Sequence, residues 1–202
     1  MYYYLVRGLA GIVVRIIFDY RVEGSGRVPE KGPVILASNH GNGWDPLLLA
    51  CSTSRPICFM AKIELFRQPI LGWLMPRIKA FPVRRGTNDH QSIRRGLELL
   101  KQGEVLGIFP EGTRYRDGLD HEVFSGVAYF ATKGDAPVIP VGIRIGKGVR
   151  PEARVRFGDS MVLDKNAGKT SQEALSEKTG LVMTAIRQLV RDTRPLPEGE
   201  AR

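Results

Sequence analysis

His40 and Asp45, five residues apart in Asn39-His40-Gly41-Asn42-Gly43-Trp44-Asp45, are the residues of this sequence best suited to moving a proton. A positioned imidazole accepts a proton from an alcohol. A carboxylate close by holds the ring in the useful tautomer and stabilises the imidazolium that forms. Arg84-Arg85 and the hexapeptide Phe109-Pro110-Glu111-Gly112-Thr113-Arg114 add fixed positive charge. No serine stands in a Gly-x-Ser-x-Gly elbow, so the combination suggests direct transfer to a substrate hydroxyl rather than a covalent intermediate on serine. A histidine and an aspartate at this spacing also occur as ordinary hydrogen bonders of a loop, with the aspartate merely capping a helix.

These groups must be carried by the short apolar runs that precede them. Residues 34–37, 57–60, 80–83, 105–109, 138–143 and 154–157 suit buried strands. Helical patterns alternate with them. One has Asn88 or Asp89 as its cap, Ile93, Leu97 and Leu100 on one face and Gly103 just past its end. A second runs from about 124 to 133 and stops at Gly134. A last one begins near Ser171 and buries Leu175, Val182, Ile186 and Leu189. Strands alternating with helices predict an α/β fold: a mixed, largely parallel sheet flanked by helices. Residues 21–192 form one domain, as the length of 202 residues suggests, and 193–202, with Pro195, Pro197 and Gly199, read as a disordered tail.

Residues 1–20 read as one amphipathic helix. Leu5, Leu9, Ile12 and Ile16 share one face, while Arg7, Gly11 and Arg15 share the other. The run is too short and too charged for a bilayer span, which needs ~20 apolar residues. With Tyr2, Tyr3 and Tyr4 at its start it suits a helix lying in the membrane interface; the competing arrangement docks it on the domain's own core. A second apolar stretch, 69–76, is bracketed by prolines and flanked by Arg67 and Arg77, and reads as a membrane-dipping element or a buried helical turn.

Four blocks in order, Ser38-Asn39-His40 through Asp45, Phe81-Pro82-Val83-Arg84-Arg85-Gly86, Phe109 to Arg114 and Val138-Ile139-Pro140-Val141, resemble the motifs of the glycerolipid acyltransferases, most closely the bacterial 1-acyl-sn-glycerol-3-phosphate acyltransferases. The resemblance spans roughly 22–163. It implies transfer of a fatty acyl group from acyl-CoA or an acyl carrier protein to the free sn-2 hydroxyl of lysophosphatidic acid, giving phosphatidic acid, with no cofactor and no metal. By the same resemblance His40 and Asp45 are catalytic and Arg85 is a phosphate ligand. Two positions depart from the family: Arg84 stands where many relatives carry Asp, and Val123-Phe124-Ser125-Gly126 lacks the lysine often found before that glycine.

His40 should stand exposed in a turn at the carboxyl end of a strand, where α/β sheets place ligands, with Asp45-Pro46 opening the next helix. In the hexapeptide, Gly112 permits close backbone approach, Thr113 offers a hydroxyl and Arg114 a bidentate fork for phosphate. Glu111 orients that arginine or binds a glycerol hydroxyl. Arg85 faces the site and Arg84 points away if the strand persists. Backbone amides near Gly112 or Gly41 are alternative donors to the thioester oxyanion. His90 and His121 lie in polar stretches without a motif and read as surface residues.

The net charge of +9 is unevenly placed: from Arg55 to Arg95 nine basic residues face only Glu64 and Asp89. Such a field attracts phosphate on nucleic acid, on lipid headgroups or on a carrier's prosthetic arm. Cys51 and Cys58 lack zinc-ligand spacing and read as free thiols of a reducing cytosol. The expected setting is the cytoplasmic side of the cell membrane, peripheral or monotopic, with a lysolipid and the membrane surface as partners and no nucleic acid. Competing readings are an acyltransferase for glycerol 3-phosphate or another lysolipid, and a basic module that binds membranes or nucleic acid without catalysis. The second of these leaves His40, Asp45 and the hexapeptide unexplained.

Overall fold

The computed structural model describes residues 2–84, 89–112, 124–164 and 172–192. Arg85, Thr113, Arg114, His121 and the expected tail lie outside the described residues. The sheet has seven strands: β1 (Asp19–Glu23), β2 (Val34–Ser38), β3 (Ile57–Lys62), β4 (Ala80–Val83), β5 (Val105–Ile108), β6 (Val138–Ile145) and β7 (Glu152–Phe157). Their order is β1-β7-β6-β2-β5-β3-β4. Pairing is parallel throughout except between β6 and β7, so β1 and β7 run against the other five.

Helices cover both faces, and the central strands are accordingly apolar on both sides: all five residues of β2 are buried. On one face, α1 (Tyr2–Ile17), Phe18 just after it and α2 (Asp45–Cys51) pack Val14, Phe18, Leu48 and Leu49 against Leu36, Ile57, Ile139 and Val141. On the other, α5 (His90–Lys101), α6 (Gly126–Gly134) and α7 (Gln172–Asp192) pack Leu99, Phe130, Val182 and Ile186 against Ile35, Leu106 and Val138. Gly142 of β6 admits α7 closely, since a β-carbon there would lie 2.7 Å from that of Leu189. The α5 cap is Asp89, whose carboxylate accepts the Ser92 N–H at 3.2 Å, and Gly103 follows the helix at φ +75°. Two short helices, α3 (Ile63–Phe66) and α4 (Pro69–Arg77), connect β3 to β4.

The N-terminal helix stops at Ile17, not at residue 20. Asp19 already pairs in the sheet, and Tyr20 sends its hydroxyl to Leu48 O at 2.7 Å. The helix docks on the domain by the face opposite its apolar stripe, which stays open as an interfacial helix requires. Tyr3, Gly11 and Val14 are buried, the Tyr3 hydroxyl accepts the Ile57 N–H at 3.0 Å, and Arg7 donates to Thr53 O at 2.9 Å and Ser54 O at 2.6 Å. Leu5, Leu9, Ile12, Val13 and Ile16 are turned outward, Ile16 at 70% exposure. The stretch 69–76 is a surface helix rather than a buried turn: Ile70 is 79% and Trp73 54% exposed. Among the described residues no helix is long and apolar enough to cross a membrane.

Candidate active site

The buried run of β2 ends at Ser38, and the next two residues are locked from opposite sides. Asn39 clamps β2 to β6 with both ends of its amide, donating to Ile143 O at 2.9 Å and accepting the Ile143 N–H at 2.8 Å. His40 then points toward the face covered by α1 and α2. Its ring stacks on Phe109 at 4.4 Å between centroids, and Phe109 stacks in turn on Phe59 at 6.0 Å. Phe59 lies across Gly107, where a β-carbon would come within 2.5 Å of its ring, so the glycine makes the room.

Asp45, the first residue of α2, places Oδ2 3.1 Å from His40 Nδ1 and accepts the Asn42 N–H at 2.6 Å. A carboxylate only accepts, so this bond takes the proton of Nδ1, and in the neutral ring Nε2 then carries the lone pair. The reading of Asp45 as a mere helix cap fails, because its carboxylate turns back on the loop and the ring. His40 is 7% and Asp45 2% exposed, which corrects the expectation of a base exposed in a turn: stacking on Phe109 draws the ring into the core edge.

Glu111 takes a place the sequence did not indicate. Its Oε2 accepts the backbone N–H of His40 at 2.9 Å, tying the start of the hexapeptide to the histidine loop. Burial raises its carboxyl above the ordinary glutamate range, nearby Asp45 adds to the rise, and the His40 N–H, the His40 ring and Arg187 oppose it. Gly112 sits at φ +65° with its N–H on Phe109 O at 2.9 Å and the Phe124 ring where a side chain would stand. The structure thus brings together His40, Asp45, Glu111 and Gly112. Asn39 and Phe109 were named within the motifs, but their roles as clamp and stacking platform were not read; the signal was position, each directly following a central strand.

The strand ending in Arg84-Arg85 does not persist into the pair: β4 stops at Val83, and the Arg84 N–H turns to Asp89 Oδ2 at 2.8 Å. Strand alternation therefore does not decide which arginine faces the site. His90 opens α5 on the surface, as expected.

Residues 19–144 match the family model described as Acyltransferase. A 1-acyl-sn-glycerol-3-phosphate acyltransferase of Bacillus subtilis is 29% identical over 88% of this chain and 92% of its own length. A lyso-ornithine lipid O-acyltransferase of Pseudomonas aeruginosa is 34% identical over 77% of this chain and 59% of its own. The crystal structure of the 1-acyl-sn-glycerophosphate (LPA) acyltransferase PlsC of Thermotoga maritima superposes with a TM-score of 0.75 at 24% identity, covering 95% of this chain and 80% of that one, and has the same fold. The site described above, from His40 to Gly112, lies within the matched residues, and the chain belongs to the Acyltransferase family.

Proposed function

We propose that this protein transfers a fatty acyl group from an acyl thioester to the sn-2 hydroxyl of 1-acyl-sn-glycerol 3-phosphate, giving phosphatidic acid. The observation that carries this reading is the buried His40–Asp45 pair, with the Nδ1 proton committed to the carboxylate. As the acceptor oxygen attacks the thioester carbonyl, Nε2 takes the hydroxyl proton and the imidazolium is stabilised by Asp45. The tetrahedral intermediate collapses, the carbon–sulfur bond breaks, and His40 returns the proton to the departing thiolate. Glu111 acts as a positioning residue, since its only described bond to the pair is through the His40 backbone. Arg85, by family resemblance, and Arg114, through its bidentate fork, hold the acceptor phosphate, and Thr113 offers a hydroxyl from the same hexapeptide. The donor is acyl-CoA or an acyl carrier protein.

The protein works as a peripheral or monotopic enzyme on the cytoplasmic side of the membrane. Support for a membrane surface is the outward apolar face of α1 beside α4, where Arg77 lies 4.1 Å over Trp73 and 5.9 Å over Tyr2, joining the two helices. Such a surface of apolar, tyrosine, tryptophan and arginine side chains matches a headgroup boundary. A second reading, acylation of a lysolipid without a phosphomonoester, is favoured by the identity to the lyso-ornithine lipid enzyme. Purified protein given an acyl thioester and a panel of lysolipids, with free thiol followed, tests both. Thiol release dependent on lysophosphatidic acid is expected; release only with phosphate-free acceptors selects the second reading, and release with none removes both.

A further inference from the structure

Between α1 and the end of α2 lies a groove of about 370 Å³, lined by Arg7, Gly8, Gly11 and Arg15 of α1 and by residues 51–54 at the end of α2 and in the turn after it. We propose that this groove binds the phosphodiester of an anionic membrane lipid, with the guanidiniums of Arg7 and Arg15 as its ligands. The proposal rests on the reading of α1 as a helix lying in the membrane interface, and adds which lipid group that helix holds.

The charge of the groove is of one sign, since its lining has two arginines and no carboxylate. Arg7 donates through Nη1, at 2.9 Å to Thr53 O and 2.6 Å to Ser54 O, and Arg15 through Nη1 at 3.2 Å to Gly11 O. Among the described residues neither guanidinium meets an acid, so both keep their full charge. Nε and Nη2 of each remain for an anion, in the fork that fits two phosphate oxygens. Arg150 donates to Arg15 O at 2.9 Å and brings a third guanidinium to this end of α1. The turn adds a hydroxyl: Thr53 Oγ1 accepts the Arg55 N–H at 3.3 Å and keeps its own proton for an incoming oxygen.

Position points to a lipid as the source of that phosphate. Gly8 is an i+3 neighbour of Leu5 and an i+4 neighbour of Ile12, and Arg15 an i+3 neighbour of Ile12, so the groove borders the outward apolar stripe of α1. A phosphodiester in the groove leaves its acyl chains to run past Leu5 and Ile12. Gly8 keeps the groove open, since a β-carbon there would meet nothing within 4 Å. The groove is separate from the reactive pair: α2 begins at Asp45 beside His40 and ends at Cys51 in the groove, ~9 Å away at ~1.5 Å per residue.

The test is partition onto vesicles of phosphatidylcholine alone and of phosphatidylcholine with phosphatidylglycerol, at one ionic strength. Wild type should prefer the anionic vesicles. Arg7 also anchors α1 to the domain and is left in place; the side-chain bond of Arg15 stays within its own helix, so Arg15→Gln leaves the docking intact. That variant should lose about tenfold of the preference, as one charge-assisted contact implies. Arg67→Gln, at an exposed position just before α4, removes the same charge outside the groove and should cost less. Gly8→Leu keeps every charge and adds apolar area, yet fills the groove, and should lose the preference by a factor similar to that of Arg15→Gln. An Arg15→Gln loss no greater than that of Arg67→Gln, or a Gly8→Leu variant with the wild-type preference, overturns the proposal. Displacement from anionic vesicles by soluble glycerophosphoglycerol, equimolar with the lipid, overturns it equally, because the ligand would then be a diffusible phosphodiester. Wild type that binds both vesicles alike overturns the groove and leaves the interfacial helix standing; wild type that binds neither removes both.

Discussion

The reactive pair and the outer face of α1 are built on opposite rules. Around His40 the polar groups are buried or half-buried and bonded to one another: ring to Asp45, Asp45 to the Asn42 amide, His40 amide to Glu111, Asn39 to both backbone groups of Ile143. Along α1, Leu5, Leu9, Ile12 and Ile16 are apolar and open to solvent, while the polar Tyr3 and the charged Arg7 bond to the domain. Orientation of a base requires a site that cannot rearrange; contact with a lipid surface requires apolar area left without a protein partner. The two regions should respond to substitution in different measurements, one in turnover and the other in partition.

The largest effect is expected for Asp45→Asn. An amide in place of the carboxylate cannot stabilise an imidazolium and can impose the wrong tautomer, so turnover should fall by about 10²- to 10⁴-fold with vesicle binding unchanged. A loss below about threefold would detach Asp45 from the chemistry and leave His40 acting alone.

Glu111→Ala should follow at about ten- to a hundredfold in turnover, because an unsatisfied His40 N–H frees the loop. Glu111→Gln keeps an accepting oxygen and should recover most of the rate; equal damage by both would mean that the charge, and not the backbone bond, matters. The same pair has a pH signature. Since the folded pKa of Glu111 is raised, its ionisation costs nothing below the ordinary glutamate value near ~4.3 and destabilises the fold increasingly as pH rises through the folded value. Glu111→Gln should therefore gain melting temperature relative to wild type as pH rises above the ordinary glutamate value. A difference that stays flat or shrinks contradicts the buried, ionising Glu111.

The smallest change in catalysis belongs to the outer face. Replacing Leu9, Ile12 and Ile16 by serine should weaken binding to anionic vesicles by about tenfold per side chain, taking ~1.5 kcal/mol for each buried apolar group, while turnover of a short-chain, detergent-soluble lysolipid persists. Full vesicle binding by this variant would move the anchor to Ile70 and Trp73 on α4.

Much of the sheet was legible because parallel strands buried on both faces appear as uninterrupted apolar runs, as 34–38 and 138–143 do. Strand β1 was missed because Asp-Tyr-Arg-Val-Glu alternates on an edge of the sheet and follows a helix without a breaking residue. For α1 the sequence left two arrangements open, because periodicity reports which residues share a face, not what covers it; the helix docks on the domain by Tyr3, Gly11 and Val14 and keeps the apolar face outward. In the site, the pairing of His40 with Asp45 was legible from their types and spacing together with the family resemblance. The place of Glu111 was not, because its partner is a backbone amide 71 positions away, which no side-chain pattern reports.

The most direct measurement is the stoichiometry of thiol and phosphatidic acid formed from an acyl thioester and lysophosphatidic acid by wild type and His40→Ala. The account predicts one thiol per phosphatidic acid, no thiol when the acceptor is omitted, and a loss of at least ~10²-fold in the variant, with a folded variant confirmed by circular dichroism. A burst of thiol without acceptor, or a His40→Ala variant retaining more than about a third of the wild-type rate, would contradict direct transfer to the hydroxyl with His40 as its base.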